Sequence, residues 1–154
     1  MRVTLCAVGT RPPSWVEQGF TEYSRRLPKD NRLELVEITA ADRRNGRGVD
    51  RWKEEEADRL LQAAGDRPRI VLDVGGRSWS TEDLAGRMED WRMVGLDPVL
   101  LVGGPDGLAQ RVLDGAEASW SLSALTLPHA LVRILVAEQV YRAWTLITGH
   151  PYHR

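Results

Sequence analysis

The chain has 154 residues, 42% of them apolar and 28% charged, with a net charge of -1 at pH 7. That describes one globular domain able to bury a core without metal or disulfide staples, and a single cysteine, Cys6, excludes an intrachain disulfide. No apolar run approaches a membrane span and the run over residues 3–8 is too short for a signal peptide, so a cytoplasmic protein is expected, and one that does not coat nucleic acid by charge alone.

The charge is unevenly spread. Residues 1–53 carry eleven Lys/Arg against seven Asp/Glu, residues 54–122 seven against fourteen, and residues 123–154 three against one. Two positive ends around an acidic middle suit an anionic ligand approached by both termini.

Residues 3–8 are apolar and partly β-branched and are stopped by Gly9-Thr-Arg-Pro-Pro13, which predicts a buried strand and a turn. Residues 15–27 read as a helix, and residues 33–38 as a short strand of mixed exposure. The basic stretch 43–48 (Arg43, Arg44, Asn45, Gly46, Arg47, Gly48) has no periodicity and is expected to be mobile. Over residues 50–64, Trp52, Ala57, Leu60, Leu61 and Ala64 form one helical stripe, with Glu54, Glu55, Glu56 and Asp58 expected mostly on the solvated side. A strand over residues 69–74 is expected to end at the Gly75-Gly76 turn. Ser80 or Thr81 then supplies a helix N-cap before Glu82 and Asp83, in a helix running to about Gly95. Residues 98–102 repeat the strand-then-glycine pattern, Pro105-Asp-Gly-Leu108 introduces a short helix, and Trp120-Ser-Leu-Ser123 forms a fifth strand. A long helix extends from Pro128 to Thr148, with Gly149 just past its end.

Alternating strands and helices predict an α/β domain, a mostly parallel sheet with helices on both faces, and ligands at the carboxyl edge of the strands. Three strand ends become the default site: the loops at Gly75-Gly76, at Gly103-Gly104 and at residues 121–127. No Gly-x-Gly-x-x-Gly follows the first strand and no P-loop lysine occurs, so Rossmann dinucleotides and P-loop nucleotides are disfavoured. A side-chain-free backbone at these turns instead lets a flat ring approach peptide N–H and C=O groups. His150 and His153 are three apart without cysteine or carboxylate beside them, so no metal site is expected. No Gly-x-Ser-x-Gly elbow is present, and no isolated carboxylate pair suggests a glycosidase.

The last helix spreads apolar residues around most of its circumference (Leu131, Val132, Ile134, Leu135, Val136, Val140, Trp144, Ile147), so its outer face is expected to meet a second subunit in a homodimer. Glu138 and Arg142 form one i, i+4 pair and His129 and Arg133 another, on different sides of the helix; one pair can face a ligand and the other an interface. The tail 149–154 combines an aromatic ring, imidazoles and a guanidinium suited to base stacking and phosphate contact, or else is a frayed terminus.

The string Trp120-Ser-Leu-Ser-Ala-Leu-Thr-Leu-Pro-His129, then Arg133, Glu138-Gln-Val-Tyr-Arg-Ala143 and His150-Pro-Tyr-His-Arg154, resembles the C-terminal signature of the ribosomal RNA large-subunit methyltransferase H family (RlmH), a minimal member of the SPOUT class. The resemblance continues in Ala7-Val-Gly-Thr10, Gly19-Phe-Thr-Glu-Tyr23, Leu72-Asp73 and Val102-Gly-Gly-Pro-Asp-Gly107, and spans the chain. It implies a single SPOUT domain with a C-terminal trefoil knot, an exception to unknotted topology. It also implies S-adenosylmethionine as cofactor among the three loops, held at Leu72, at Gly103 and at Leu122, Ser123, Ala124, Leu125, Thr126 and Leu127. The implied substrate is a pseudouridine of 23S rRNA in the assembled ribosome, methylated on the ring imide nitrogen.

In-line transfer from a sulfonium requires sulfur, methyl and nitrogen to be collinear, so orientation is most of the task. The imide nitrogen must lose its proton, which calls for a general base or for cations that stabilise the anion; the candidates are His129, Arg133, Tyr152, His153 and Arg154, with the base among them left open. His129 reads equally as a brace for the long helix. The tail Tyr152–Arg154 is expected to complete the site of the other subunit. A non-enzymatic ribosome-associated protein that kept the fold is the competing reading.

Overall fold

The alternation of side chains along β1 (Arg2–Val8) sends Val3, Leu5 and Ala7 to one face of the sheet and Cys6 and Val8 to the other, and each set enters a separate core. The computed structural model describes all 154 residues. Its strands β1, β2 (Arg32–Ile38), β3 (Arg69–Ser78), β4 (Val99–Val102) and β5 (Ala118–Ser121) form a sheet of order β2-β1-β4-β3-β5 in which every neighbouring pair is parallel. Helices α1 (Ser14–Ser24), α3 (Thr81–Met93) and α5 (His129–Thr148) supply Phe20, Met88, Trp91, Val136 and Val140 to the core on one face. Helices α2 (Val49–Ala64) and α4 (Gln110–Asp114) cover the other with Ala57, Leu60, Ala64 and Val112. The centre of the sheet (Leu5, Ile70, Leu100, Leu101) is fully buried, and each such side chain contributes about 2 kcal/mol of transfer free energy.

Helix ends follow their local chemistry. Ser80 caps α3 by accepting from the Asp83 N–H while Asp83 accepts from the Ser80 N–H, a reciprocal pair. Gly149 closes α5 at φ +70°, a left-handed conformation favourable to glycine. Within α1, a Cβ at Gly19 would lie 2.7 Å from the Ile134 Cδ1 atom, so the glycine lets α5 pack directly on α1.

Several expectations are corrected. The first helix stops at Ser24, three residues before the expected end. The third strand does not end at Gly75-Gly76. It makes an excursion over residues 73–76, so that Leu72 and Arg77 both lie opposite Trp120, and pairing continues with Ser78 opposite Ser121. A Cβ at Gly76 would sit 2.7 Å from the carbonyl carbon of Ser119, which reserves that position for glycine. The helix expected at Pro105 begins only at Gln110. The basic stretch is not formless: Asp42 caps a 3-10 turn at Arg43–Asn45 through the Arg44 N–H. Glu56 is not on the solvated side of α2 but 1% exposed, because Trp52, Glu56, Leu60 and Ala64 share one i, i+4 row.

The outer face of α5 keeps Leu131 and Leu135 at 40% and 39% exposure, with Trp15 of α1 also exposed. No helix is long and apolar enough to cross a membrane.

Candidate active site

Three chain segments leave the carboxyl edge of the sheet side by side, and each is shaped by hydrogen bonds within itself. After Leu72, the Asp73 carboxylate accepts from the Gly75 N–H at 3.0 Å. After Val102, the Gly107 N–H donates to the Gly104 carbonyl at 3.0 Å, with Gly107 at φ +82°. After β5, the Ser121 hydroxyl donates to the Ser123 carbonyl and the Ser123 Oγ accepts from the Leu125 N–H, both at 3.0 Å, a serine-built turn.

Between them lies a cavity of about 370 Å³, whose wall is half apolar. Leu72, Asp73 and Val74 form one side, Val102 to Leu108 the second, and Leu122, Ser123, Leu125, Thr126 and Leu127 the third, with Trp120, His129 and Val132 completing it. Its size and mixture of apolar side chains with a few polar groups are those of a small-molecule site. Trp120 is braced from behind by Trp79, stacked at 5.1 Å between centroids and 11° between planes, and the Arg87 guanidinium covers Trp79 at 4.1 Å.

The expected donor residues Leu72, Gly103, Leu122, Ser123, Leu125, Thr126 and Leu127 all line this cavity, while Ala124 is exposed and does not. At Gly103 a Cβ would stand 2.7 Å from the Gly107 carbonyl carbon and 3.0 Å from the Leu108 nitrogen. The wall there is backbone against backbone, with no room for a side chain. His129 lines the cavity and its Nδ1 is buried without a hydrogen-bond partner. A backbone-walled slot, an apolar lining and one orphaned ring nitrogen fit the adenosine-sized, amphipathic character of S-adenosylmethionine.

Burial, aided by the Arg133 cation, holds the His129 imidazole below its ordinary range, against the opposing pull of the Gly104 carbonyl and Glu56. It is therefore a neutral ring at pH 7, able to accept a proton. Arg133 is 4% exposed and does not line the cavity. Its guanidinium donates to Glu37 Oε2 and to the Gly9 carbonyl, both at 2.7 Å, pinning α5 to the ends of β2 and β1. His129 and Arg133 thus part ways, one toward the cavity and the other into the core.

Tyr152, His153 and Arg154 do not line the cavity. The tail is a 3-10 turn at Pro151–His153, begun by His150 accepting from the Tyr152 N–H. The Tyr152 hydroxyl donates to Glu138 at 3.1 Å, its ring packs on Tyr141 at 4.7 Å, and Arg142 bonds Glu138 and covers the Tyr152 ring at 5.0 Å. Burial and then the Glu138 carboxylate push the Tyr152 phenol up to about 12, so at neutral pH it is a hydroxyl donor and not a phenolate base. The Glu138–Arg142 pair forms as spaced, and it holds the tail.

Sequence reasoning missed Asp73, Val74, Asp106, Trp120 and Val132 in the wall, and Glu56 behind it. Glu56 Oε1 accepts from the Ala41 N–H at 3.0 Å and from Arg43, while Arg43 Nη2 donates to Asp106 at 2.8 Å. The i, i+4 row through Trp52 and Leu60 carried the signal for Glu56.

Residues 1–153 match the family model described as "Predicted SPOUT methyltransferase". Among solved structures the fold resembles a probable methylase family protein from Haemophilus influenzae Rd KW20, at TM-score 0.60 and 13% identity over 99% of this chain and 70% of that one. It also resembles a putative methylase family protein from Neisseria gonorrhoeae (TM-score 0.55, 14% identity, 91% and 80% covered) and TrmJ from Z. mobilis ZM4 (0.50, 15%, 91% and 67%). At these identities the structural likenesses establish the fold alone, and the match over residues 1–153 shows the family: the chain belongs to the SPOUT methyltransferase family.

Proposed function

We propose that the protein transfers a methyl group from S-adenosylmethionine to the ring imide nitrogen of a pseudouridine in 23S rRNA of the assembled ribosome, as a cytoplasmic homodimer with the SPOUT trefoil knot at its C-terminal end. The observation that carries the donor assignment is the cavity walled by three strand-end loops, with Gly103 packed backbone against backbone. The substrate assignment rests on the C-terminal string from Trp120 to Arg154, which resembles the RlmH signature.

When bound, the donor supplies an electrophilic methyl carbon on a sulfonium. Leu72, Gly103 and the 122–127 loop would hold it and exclude water with their apolar side chains, so that orientation supplies most of the rate. His129, neutral and lining the cavity, is the residue suited to take the imide proton. Tyr152 keeps its proton and would donate a hydrogen bond, and Arg154 brings a cation to the anionic substrate. Arg133 acts as a positioning residue through α5.

Because Tyr152, His153 and Arg154 do not line their own cavity, they are assigned to the partner's site, reached across the exposed face of α5 with Leu131 and Leu135. Mass spectrometry of 23S rRNA from cells with and without the gene tests the assignment. One methylated pseudouridine is expected to lose its methyl group when the gene is absent; an unchanged rRNA would reject the substrate.

A further inference from the structure

The basic segment at residues 43–48 has no part in the donor site just described, yet one of its side chains reaches the cavity wall. Arg43 donates from Nη1 to Glu56 and to the Ala41 carbonyl (3.0 Å), and from Nη2 to Asp106 (2.8 Å), and it lies over the Trp52 ring at 5.5 Å. Asp106 and Gly104 both line the cavity. Glu56 Oε2 has no hydrogen-bond partner, and a Cβ at Gly104 would stand 2.8 Å from it and 3.4 Å from Arg43 Nη2. The wall is therefore backed by a buried carboxylate and its guanidinium.

We infer that Arg43 and Glu56 are positioning residues that set the conformation of the 103–107 loop for the methyl donor. Gly103, Gly104 and Gly107 give that loop a large conformational freedom to lose, and its inner hydrogen bond from Gly107 to Gly104 constrains only the turn itself. The tie that anchors the turn to the rest of the domain runs through Asp106 to Arg43. A leucine at position 56 would fill the same space in the row Trp52, Glu56, Leu60 at lower desolvation cost. What it cannot do is orient a planar guanidinium so that one edge meets α2 while the other meets Asp106, the geometry at which arginine and lysine differ.

The inference rests on the donor-site reading, and calorimetric titration of S-adenosylmethionine separates the two. The proteins are the unmodified chain, Arg43→Lys, Asp106→Ala and the double variant, each with its melting temperature recorded. Arg43→Lys keeps a cation beside Glu56 but cannot span both carboxylates; Asp106→Ala breaks only the outer link, a partly buried pair with side chains 28% and 27% exposed, and leaves the core intact. Each single variant is expected to weaken donor binding by about fivefold with little change in melting temperature, and the double by no more than either, because both break one tie. Absence of binding by the unmodified chain would overturn the donor site itself. Binding by the unmodified chain with affinities unchanged in the single variants, or losses that multiply in the double, would overturn the positioning role alone.

Discussion

The two ends of α5 are in opposite states. At the amino end His129 enters a cavity with an unpartnered ring nitrogen, while at the carboxyl end Glu138, Arg142, Tyr141 and Tyr152 satisfy one another. One end is open to a ligand and the other is closed on itself. The tail turns back along the helix only as far as Glu138, nine residues beyond His129, which at about 1.5 Å per residue is about 14 Å of helix axis. A second copy of the chain is what would let one site use both ends, as the proposed dimer requires.

Removing Tyr152–Arg154 breaks this comparison most sharply. Methyl transfer to ribosomes is expected to fall by about a hundredfold, the order of loss that follows from misplaced reacting groups, with S-adenosylmethionine affinity unchanged. A parallel loss of donor affinity would put the tail in its own cavity after all. At the other end, Gly103→Val forces a side chain into a 2.7 Å gap against the Gly107 backbone; the fold is expected to lose about 1–3 kcal/mol in denaturant unfolding, and donor binding measured by calorimetry to weaken as the wall shifts.

These predictions draw on elements that the sequence exposed unequally. The bounds of α5 were legible because Pro128 and Gly149 punctuate it, and the three strand ends because glycine and serine follow apolar runs. The burial of Glu56 was signalled only by its place in the row of Trp52 and Leu60, and that signal is outweighed by the acidic run around it until its tertiary partner, Arg43, is known. The docking of the tail was not legible, since its residues suit a frayed terminus equally well until Glu138 and Tyr141 are beside them. The passage of β3 through its glycines depended on Ser119 of a strand distant in sequence.

Between the two ends, Arg133→Leu sharpens the contrast by separating support from chemistry. It removes the donor to Glu37 and to the Gly9 carbonyl; because Glu37 is about a third exposed and remains hydrated, the expected loss is only about 1–2 kcal/mol, read from denaturant unfolding. The smallest effect concerns pH. Burial holds His129 below its ordinary 6.5, so the unfolded chain takes up this proton first as pH falls. Its contribution is fully present above about pH 6.5 and is lost as pH falls from there through the folded value; His129→Gln is expected to flatten that part of the melting-temperature profile.

The most direct test of the donor cavity is a crystal structure of the protein with S-adenosylmethionine. The account predicts density for the donor in contact with Leu72, Gly103 and Leu127, between the three strand ends. Density elsewhere, or an empty cavity at saturating donor, would contradict it.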